Sequence, residues 1–306
     1  MSSPSKSAAQ AWTAADIGDQ SGRVVIVTGA NSGLGLEVAT RLAEHGAAVV
    51  MACRNVAKAE EAVTQLRAEV PGASVAISEL NLADLASVAA FAQSFRASHE
   101  RLDLLINNAG LMAVDHSYTA QGFEMQFGVN HLGHYALTEQ LLPLLERTPG
   151  SRVATMASMG HRAGRMRFDD LMRKRRYDRW FAYTQSKLAN LLFTAELQRR
   201  LAEQGSTTIA VAAHPGSTHT DLGTEGSGLT NRITAALYPI FSQTVKQGAL
   251  PMLRAATDPN VAGGEFYGPR YIVAGRAVRE RPSRRARNVA DARRLWEISA
   301  QLTRVG

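Results

Sequence analysis

Two residues four positions apart, Tyr183 and Lys187, have side chains suited to moving a proton. On a helix this spacing places both side chains on one face. An ammonium beside a phenol stabilises the phenolate, which favours Tyr183 as a proton donor or acceptor. The pair is common in proteins where it has no chemical role. The chain also offers Ser158, whose hydroxyl is suited to polarising a carbonyl group.

A glycine-rich segment over 28–35, TGANSGLG, has the residues needed to hold a pyrophosphate. Glycine tolerates positive φ and lets the backbone approach a ligand closely, and a following helix offers unpaired N–H groups and its positive dipole end. Turns use glycine too, so the position between a predicted strand and a predicted helix is what favours a dinucleotide. The residues expected to contact it are Gly29, Asn31, Ser32, Gly33, Leu34 and Gly35.

The end of the second predicted strand indicates which dinucleotide would bind. Sites for NAD(H) usually place a carboxylate here, against the adenosine ribose. This chain has Cys53, Arg54 and Asn55 instead, with no acid. The planar guanidinium of Arg54 is suited to a 2′-phosphate, although a plain surface arginine is the alternative. We therefore expect NADP(H) rather than NAD(H), with Arg54 and Asn55 beside the ribose.

Short apolar runs alternate with helical patterns along the chain, and this alternation predicts how the chemical groups are positioned. The predicted strands are 23–28, 47–52, 74–80, 102–107, 152–158, 207–213 and a possible seventh near 270–274. The predicted helices are one ending at Gly46, then 55–69, 84–98, one within 122–147, 180–203, segments of 229–257, and 288–302. This order predicts an α/β fold: a single doubly wound Rossmann-type domain whose parallel sheet of about seven strands carries helices on both faces.

The boundaries expected for this domain are 22–306, preceded by a polar tail over 1–21. Residues 217–245 follow the sixth predicted strand and combine small residues with an apolar stretch, which is typical of a lid over a substrate. Ile233, Leu237, Ile240 and Phe241 could bury an apolar substrate, and ordinary core or oligomer contacts are equally compatible with them.

Composition excludes several other classes of protein. The chain of 306 residues is 45% hydrophobic, carries a formal charge of +7 and has one cysteine, Cys53. Its arginine clusters lack the aromatic residues and motifs of nucleic-acid binding, so we expect no nucleic-acid partner. No run approaches the roughly 20 apolar residues of a membrane helix. A single cysteine suits a reducing compartment, and we expect a cytoplasmic protein with no metal site.

The histidines suggest little chemistry of their own. His131 and His134 lie three apart but have no evident third ligand for a metal, so packing or hydrogen bonding is the expected role. His161, three residues after Ser158, is a candidate for substrate contact.

Six motifs in order and spacing resemble those of the short-chain dehydrogenase/reductase family, and the resemblance covers almost the whole chain from Trp12. They are TGANSGLG (28–35), NNAG (107–110), VNHLGH (129–134), Ser158, YTQSK (183–187) and HPG (214–216). The retinol-dehydrogenase and WW-domain-oxidoreductase branch is the most similar, on ACRN (52–55), RFDDL (167–171), AYTQSKLANLLF (182–193), GGEFYGP (263–269) and LWEIS (295–299). The N-terminal AWTAADIGDQSGR resembles bacterial, especially actinobacterial, members.

The resemblance implies roles for further residues. Its catalytic tetrad would be Asn130, Ser158, Tyr183 and Lys187, with Tyr183 as general acid/base, Lys187 also on the nicotinamide ribose and Asn130 holding a water. The implied cofactor contacts are Asn81, Leu82, Asn108, Ala109, Gly110, Pro215, Gly216 and Thr218. Asn81 departs from the aspartate usual in the family, and the N-terminal membrane helix of the animal retinol enzymes is not expected here.

The function expected from these residues is NADP(H)-dependent interconversion of a carbonyl and an alcohol on an apolar small molecule. A homo-oligomer is compatible with the sequence. The alternatives are a double-bond reductase resembling protochlorophyllide reductases, which would not need Ser158, and a non-catalytic dinucleotide-binding protein, which would not need Tyr183 with Ser158.

Overall fold

The strands form one twisted sheet in the order β3-β2-β1-β4-β5-β6-β7-β8. The computed structural model describes residues 11–217 and 243–304. The strands are β1 (Val24–Thr28), β2 (Ala48–Cys53), β3 (Val75–Glu79), β4 (Leu104–Asn107), β5 (Arg152–Met156), β6 (Ile209–Ala213), β7 (Phe266–Pro269) and β8 (Ala277–Glu280). All neighbours pair in parallel except β7 and β8, which are antiparallel.

Helices cover both faces of the sheet. They are α1 (Gly33–Glu44), α2 (Val56–Glu69), α3 (Leu85–Ser98), α4 (Met125–Phe127), α5 (Gly133–Arg147), α6 (Arg179–Glu203), α7 (Val245–Thr257) and α8 (Val289–Thr303). The predicted helix within 122–147 is interrupted, since a π-helical stretch over Gly128–Leu132 joins α4 to α5. The doubly wound α/β fold predicted from the sequence is confirmed.

Hydrophobic cores on both faces of the sheet explain why the central strands read as apolar runs. Val25 and Val27 of β1 pack with α1, α2 and α7 on one face, and Ile26 packs with α3, α5 and α6 on the other. Successive strand residues point to opposite faces, so a strand covered on both sides must be apolar throughout.

The seventh strand differs from the prediction near 270–274. It lies earlier, at Phe266–Pro269, and an eighth strand follows at Ala277–Glu280. The apolar residues of 270–274 form the exposed turn between the two, where Tyr271 is 71% exposed. β7 contains a glycine and a proline, which disguise it in the sequence, and β8 is a short edge strand without an apolar run.

The folded domain begins before the predicted boundary at residue 22. Trp12 and Ile17 belong to the core formed by β1, α1 and β2, so residues 12–20 are not part of a polar tail. These two apolar side chains are isolated among polar neighbours, which hides them from a composition-based prediction. Most of the lid predicted over 217–245 lies outside the described residues, as do Ile233, Leu237, Ile240 and Phe241.

The connections reverse direction beside β1. From β1 the chain winds outward to β2 and β3, then returns to β4 and winds the other way through β5 and β6. The loops after β1 and β4 therefore diverge and leave a crevice at the carboxyl edge of the sheet, which is where open α/β sheets bind ligands.

Candidate active site

A cavity of about 560 Å³ occupies this crevice. Its wall includes Gly29, Asn31, Ser32, Gly33, Leu34, Gly35, Arg54, Asn55, Asn81, Leu82, Asn108, Ala109, Gly110, Ser158, Tyr183, Lys187, Pro215 and Gly216. These are all but two of the predicted site residues. Asn130 is buried behind the wall, and Thr218 lies outside the described residues.

The glycine loop is held close to the segment that follows β4. Gly29 has φ +64°, a conformation that side chains disfavour. A Cβ on Gly35 would overlap the carbonyl oxygen of Gly29 and lie 2.5 Å from Asn108 Nδ2. That amide donates a hydrogen bond to the Thr28 carbonyl at 2.8 Å. The two loops therefore form one cradle, and only glycine fits where they touch.

The Thr28 hydroxyl connects this cradle to the segment that carries Asn130. It accepts hydrogen bonds from the backbone amides of Asn108 and Ala109, both at 3.0 Å, and lies 2.9 Å from His134 Nε2. Burial lowers the pKa of His134 to about 4, so the imidazole is neutral. Its Nδ1–H can then donate to the Asn130 carbonyl at 3.2 Å while Nε2 accepts the Thr28 proton.

Helix α6 presents Tyr183 and Lys187 to the cavity. Its N-cap Asp178 accepts from the amides of Trp180 and Phe181, which fixes where the helix begins. Lys187 Nζ donates to the Met156 carbonyl at 3.2 Å and lies 5.9 Å from the centre of the Tyr183 ring. Burial lowers the pKa of Lys187 to about 8, so the group is mostly an ammonium at neutral pH.

Ser158 lies beside Tyr183 at the end of β5. Its Oγ accepts a hydrogen bond from Gly160 N at 3.1 Å as the N-cap of a 3₁₀ turn over Met159–Arg162. A Cβ on Gly160 would be 3.4 Å from both Ser158 Oγ and Tyr183 Cε1. The hydroxyl and the ring edge therefore flank the same small space, and the glycine keeps it open.

Asn130 is fully engaged within the π-helical stretch. Its Oδ1 accepts from Leu111 N at 2.7 Å, and its Nδ2 donates to Leu111 O and Ser186 Oγ, both at 2.9 Å. Ser186 in turn donates to the Tyr183 carbonyl at 2.8 Å. The amide thus ties the loop after β4 to the turn of α6 that carries Tyr183.

A second cation, Lys58, lines the cavity together with Arg54 and was not predicted. Arg54 and Lys58 are both exposed on the cavity wall where β2 runs into α2. Asn55 caps α2 by accepting from Lys58 N at 3.0 Å. The signal was present in the sequence, because the first turn of a helix beginning at Val56 places residue 58 next to residue 54.

Several apolar residues of the wall were also missed. They are Leu111, Met112, Val129, Met156, Met159 and Trp180. Apart from Val129, which opens the VNHLGH segment, no motif marks them, because they come from separate segments that meet only in the folded chain.

His161 does not reach the cavity, so the hypothesis of substrate contact is wrong. Its side chain is fully buried, and burial lowers its pKa to about 4. Nδ1 lies 2.6 Å from the Ser158 carbonyl, and Nε2 accepts from Ser283 N at 3.3 Å. His161 therefore supports Ser158 from behind.

Two features are absent from the described residues. No helix among residues 11–217 and 243–304 is long and apolar enough to cross a membrane. In the same ranges, no cluster of three or more His, Cys, Asp or Glu side chains could hold a metal ion.

Comparison with known proteins agrees with this geometry. Residues 23–227 match the family model described as short chain dehydrogenase. Retinol dehydrogenase 12 of Mus musculus is 42% identical over 283 residues, which span 92% of this chain and 86% of that protein.

Solved structures give the same result. An uncharacterized protein from Mycobacterium Paratuberculosis is 44% identical, with a TM-score of 0.81 over 97% of this chain and 98% of that one. A 3-ketoacyl-(acyl-carrier-protein) reductase from Brucella melitensis, solved with NADH, shares the fold at 22% identity and a TM-score of 0.63, over 82% of this chain and 97% of that one.

The chain belongs to the short-chain dehydrogenase family, in its retinol-dehydrogenase-like branch. It is accordingly an oxidoreductase that acts on CH–OH or C=O groups. The resemblance stated from the motifs is confirmed.

Proposed function

We propose that this protein is an NADP(H)-dependent oxidoreductase that interconverts a carbonyl and an alcohol on an apolar small molecule. The observation that supports this most strongly is one cavity that joins two kinds of group. Arg54 and Lys58 follow β2, and Ser158 and Tyr183 belong to the end of β5 and to α6. Strands β2 and β5 are three positions apart in the sheet, about 14 Å at the usual spacing.

The residues present fit a nicotinamide dinucleotide. Gly29 and Gly35 let the loops after β1 and β4 close into a cradle that could hold a pyrophosphate, and Ser32, the N-cap of α1, makes no side-chain hydrogen bond to the first-turn amides. Asn81 and Leu82 would lie against the adenine, and Pro215 and Gly216 against the nicotinamide. When bound, such a cofactor supplies or accepts the hydride.

The preference for NADP(H) rests on charge. Arg54 and Lys58 both line the wall after β2, and no Asp or Glu side chain is among the described residues of that wall. A 2′-phosphate would find two cations there, whereas a ribose 2′-hydroxyl would lack its usual carboxylate acceptor.

Side chains of this protein would carry out the proton transfer. When a carbonyl is reduced, Ser158 would donate a hydrogen bond to its oxygen and Tyr183 would give that oxygen a proton. The buried ammonium of Lys187 stabilises the phenolate that results. Asn130, through Leu111 and Ser186, keeps the surrounding loops in place.

An apolar substrate fits the walls at this end. Met112, Met159 and Trp180 line the same cavity as Ser158, and the ring of Trp180 lies 6.4 Å from that of Tyr183 between ring centres. Methionine side chains adapt to irregular apolar ligands, and burial of apolar surface would supply the binding free energy. The retinol of the mouse relative's name is an alcohol of this class.

The proposal is tested with a panel of carbonyls and alcohols of increasing apolar length, each assayed with NADPH, NADH and their oxidised forms. We expect NADPH-dependent reduction of long aldehydes or ketones. Reduction of a conjugated C=C bond without change at the oxygen would favour the double-bond reductase. Dinucleotide binding without turnover of any panel member would favour the binding protein.

A further inference from the structure

A partly buried network beside the cavity connects the two loops that must approach the nicotinamide and the substrate. Its centre is Glu280 on β8, the strand that the sequence did not predict. The Glu280 side chain is 10% exposed, and its two oxygens have different partners. Oε1 lies 2.9 Å from His214 Nε2, and Oε2 accepts from Arg162 Nη2 at 3.0 Å.

The first arm leads to the loop after β6. His214 is fully buried, and its Nδ1 accepts a hydrogen bond from Gly216 N at 3.2 Å. Because Nδ1 is an acceptor, the proton lies on Nε2 and is donated to Glu280. Glu280 therefore sets the tautomer that lets His214 hold the Gly216 amide. Gly216 has φ +70° and lines the cavity next to Pro215.

The second arm leads to the loop after β5. Arg162 ends the 3₁₀ turn that Ser158 caps, so the ion pair with Glu280 fixes the far end of that turn. His161 fixes the near end through the Ser158 carbonyl. Its Nε2 accepts from Ser283 N, which follows β8.

The packing around Glu280 indicates that the network is a built feature. Phe266 of β7 stacks on His214 at 5.3 Å and meets the edge of His161 at 5.4 Å between ring centres. A Cβ on Gly268 would overlap both Glu280 Oε1 and His214 Nε2. The glycine in β7, which hides this strand in the sequence, is what allows the carboxylate and the imidazole to meet.

We propose that Glu280 is a positioning residue for hydride transfer. It holds the Gly216 loop through His214 and the Ser158 turn through Arg162, and so fixes the position of one loop relative to the other. The inference rests on the proposed function. It adds that the antiparallel edge strand, far from the reacting atoms in sequence, sets the distance between the nicotinamide side and the carbonyl-polarising hydroxyl.

The first test compares NADPH with 2′,5′-ADP, which occupies only the adenosine side near Arg54. In Glu280→Ala we expect NADPH affinity to fall about tenfold, the loss expected of one hydrogen bond, while 2′,5′-ADP affinity stays at the wild-type value. We expect kcat for carbonyl reduction to fall about 10- to 100-fold, since misplacement of reacting groups is strongly penalised.

The matched control is Glu265→Ala. Glu265 immediately precedes β7, is 9% exposed, pairs with Arg279 at 2.9 Å and accepts from Tyr267 Oη at 2.7 Å, but contacts neither loop. Both variants lose a nearly buried carboxylate with an arginine partner. Equal NADPH affinity, equal 2′,5′-ADP affinity and equal kcat in the two variants would overturn the proposal. So would equal weakening of both ligands in Glu280→Ala.

Two milder variants separate the arms and do not depend on Glu280→Ala folding. In Glu280→Gln the amide oxygen still accepts from His214, so NADPH affinity should be kept while the lost charge at Arg162 lowers kcat. Arg162→Met should lower kcat in the same way, again with unchanged NADPH affinity. Wild-type kcat in both variants would contradict the role of the Ser158 arm.

The binding measurements also separate this inference from the proposed function. A wild-type protein that binds NADPH but reduces no carbonyl would refute the proposed reaction. The NADPH and 2′,5′-ADP comparison would still decide whether Glu280 holds the nicotinamide side.

Discussion

At the scale of single residues, the proposed function assigns charge recognition and proton transfer to different side chains. Arg54 and Lys58 are exposed cations at one end of the cavity, whereas Lys187 is 4% exposed at the other. Exposed cations keep their hydration until a phosphate replaces it, and a buried ammonium acts strongly on its neighbours because water does not screen it. Different substitutions should therefore affect cofactor choice and chemistry separately.

Arg54→Asp tests the choice of cofactor. It replaces a charge-assisted pair by repulsion, so NADPH affinity should fall by about 2–4 kcal/mol, or roughly 30- to 700-fold. NADH affinity should change far less. Fluorescence titration with both dinucleotides measures this. Arg67→Asp, on α2 but off the cavity wall, is the control and should leave both affinities unchanged. Equal wild-type affinities for NADH and NADPH would refute the role of Arg54.

Tyr183→Phe tests the proton donor. The substitution removes one hydroxyl and keeps the ring, so folding and NADPH binding should persist. Loss of general acid catalysis should lower kcat for carbonyl reduction about 10²- to 10⁴-fold. Single-turnover reduction with saturating NADPH measures the effect. A variant that binds NADPH normally and still turns over near the wild-type rate would rule out Tyr183 as the acid.

At the scale of elements, the site depends on places where two backbones touch. The loop between β1 and α1 meets the segment after β4 at Gly35, and the π-helical stretch over Gly128–Leu132 brings Asn130 against Leu111. π-helical turns are uncommon and are often found at functional sites. Backbone contact of this kind tolerates no added side-chain volume, which makes it sensitive to small substitutions.

Gly35→Ala tests the cradle. The added Cβ would meet Gly29 O and Asn108 Nδ2, so the two loops must separate. We expect the free energy of unfolding to fall by about 1–3 kcal/mol and NADPH affinity to fall with it. Urea unfolding and cofactor titration measure the two effects. Gly18→Ala is the control, because no atom lies within 4 Å of a Cβ there. Similar behaviour of the two variants would mean that the contact has no role.

At the scale of the whole molecule, buried neutral histidines connect distant parts of the fold. His134 joins α5 to β1 through Thr28, and His131 joins the π-helical stretch to α8 through Ser299 at 2.8 Å. Burial is the main cause that lowers the pKa of His131 to about 3 and that of His134 to about 4, from an ordinary value of 6.5. Folding therefore depends on keeping these rings uncharged.

The stability of the protein should consequently fall in acid. Between pH 6.5 and about 4 the unfolded chain binds protons at these histidines and the folded chain does not. The free energy of unfolding therefore rises with pH in this window, by up to about 1.4 kcal/mol per pH unit for each histidine. Urea unfolding at intervals from pH 7 to pH 4.5 measures the slope.

His131→Gln removes one of the titrating groups. The slope should therefore fall by the contribution of one histidine, up to about 1.4 kcal/mol per pH unit, whether or not the substitution changes stability at pH 7. The amide can still bond to Ser299. A slope identical to that of the wild type would show that the pKa of His131 does not differ between the folded and the unfolded chain. That result would contradict the effect expected from its burial.

The sequence alone determined what depends on local spacing. Strand and helix periodicity predicted the doubly wound sheet, and TGANSGLG and YTQSK identified Gly29, Gly35, Tyr183 and Lys187, because turns and helix faces are set by neighbours along the chain. The motifs also sufficed to name the family.

Only the tertiary structure decided which distant residues meet. Met112 and Trp180 line the same cavity as Ser158, although they come from separate segments of the chain that no local pattern links. β7 was misplaced because a glycine required by the contact between Glu280 and His214 looks like a turn in the sequence. When two side chains far apart in the chain pack closely, the sequence shows only the small residue that makes room for them. The contact itself exists only in the folded state.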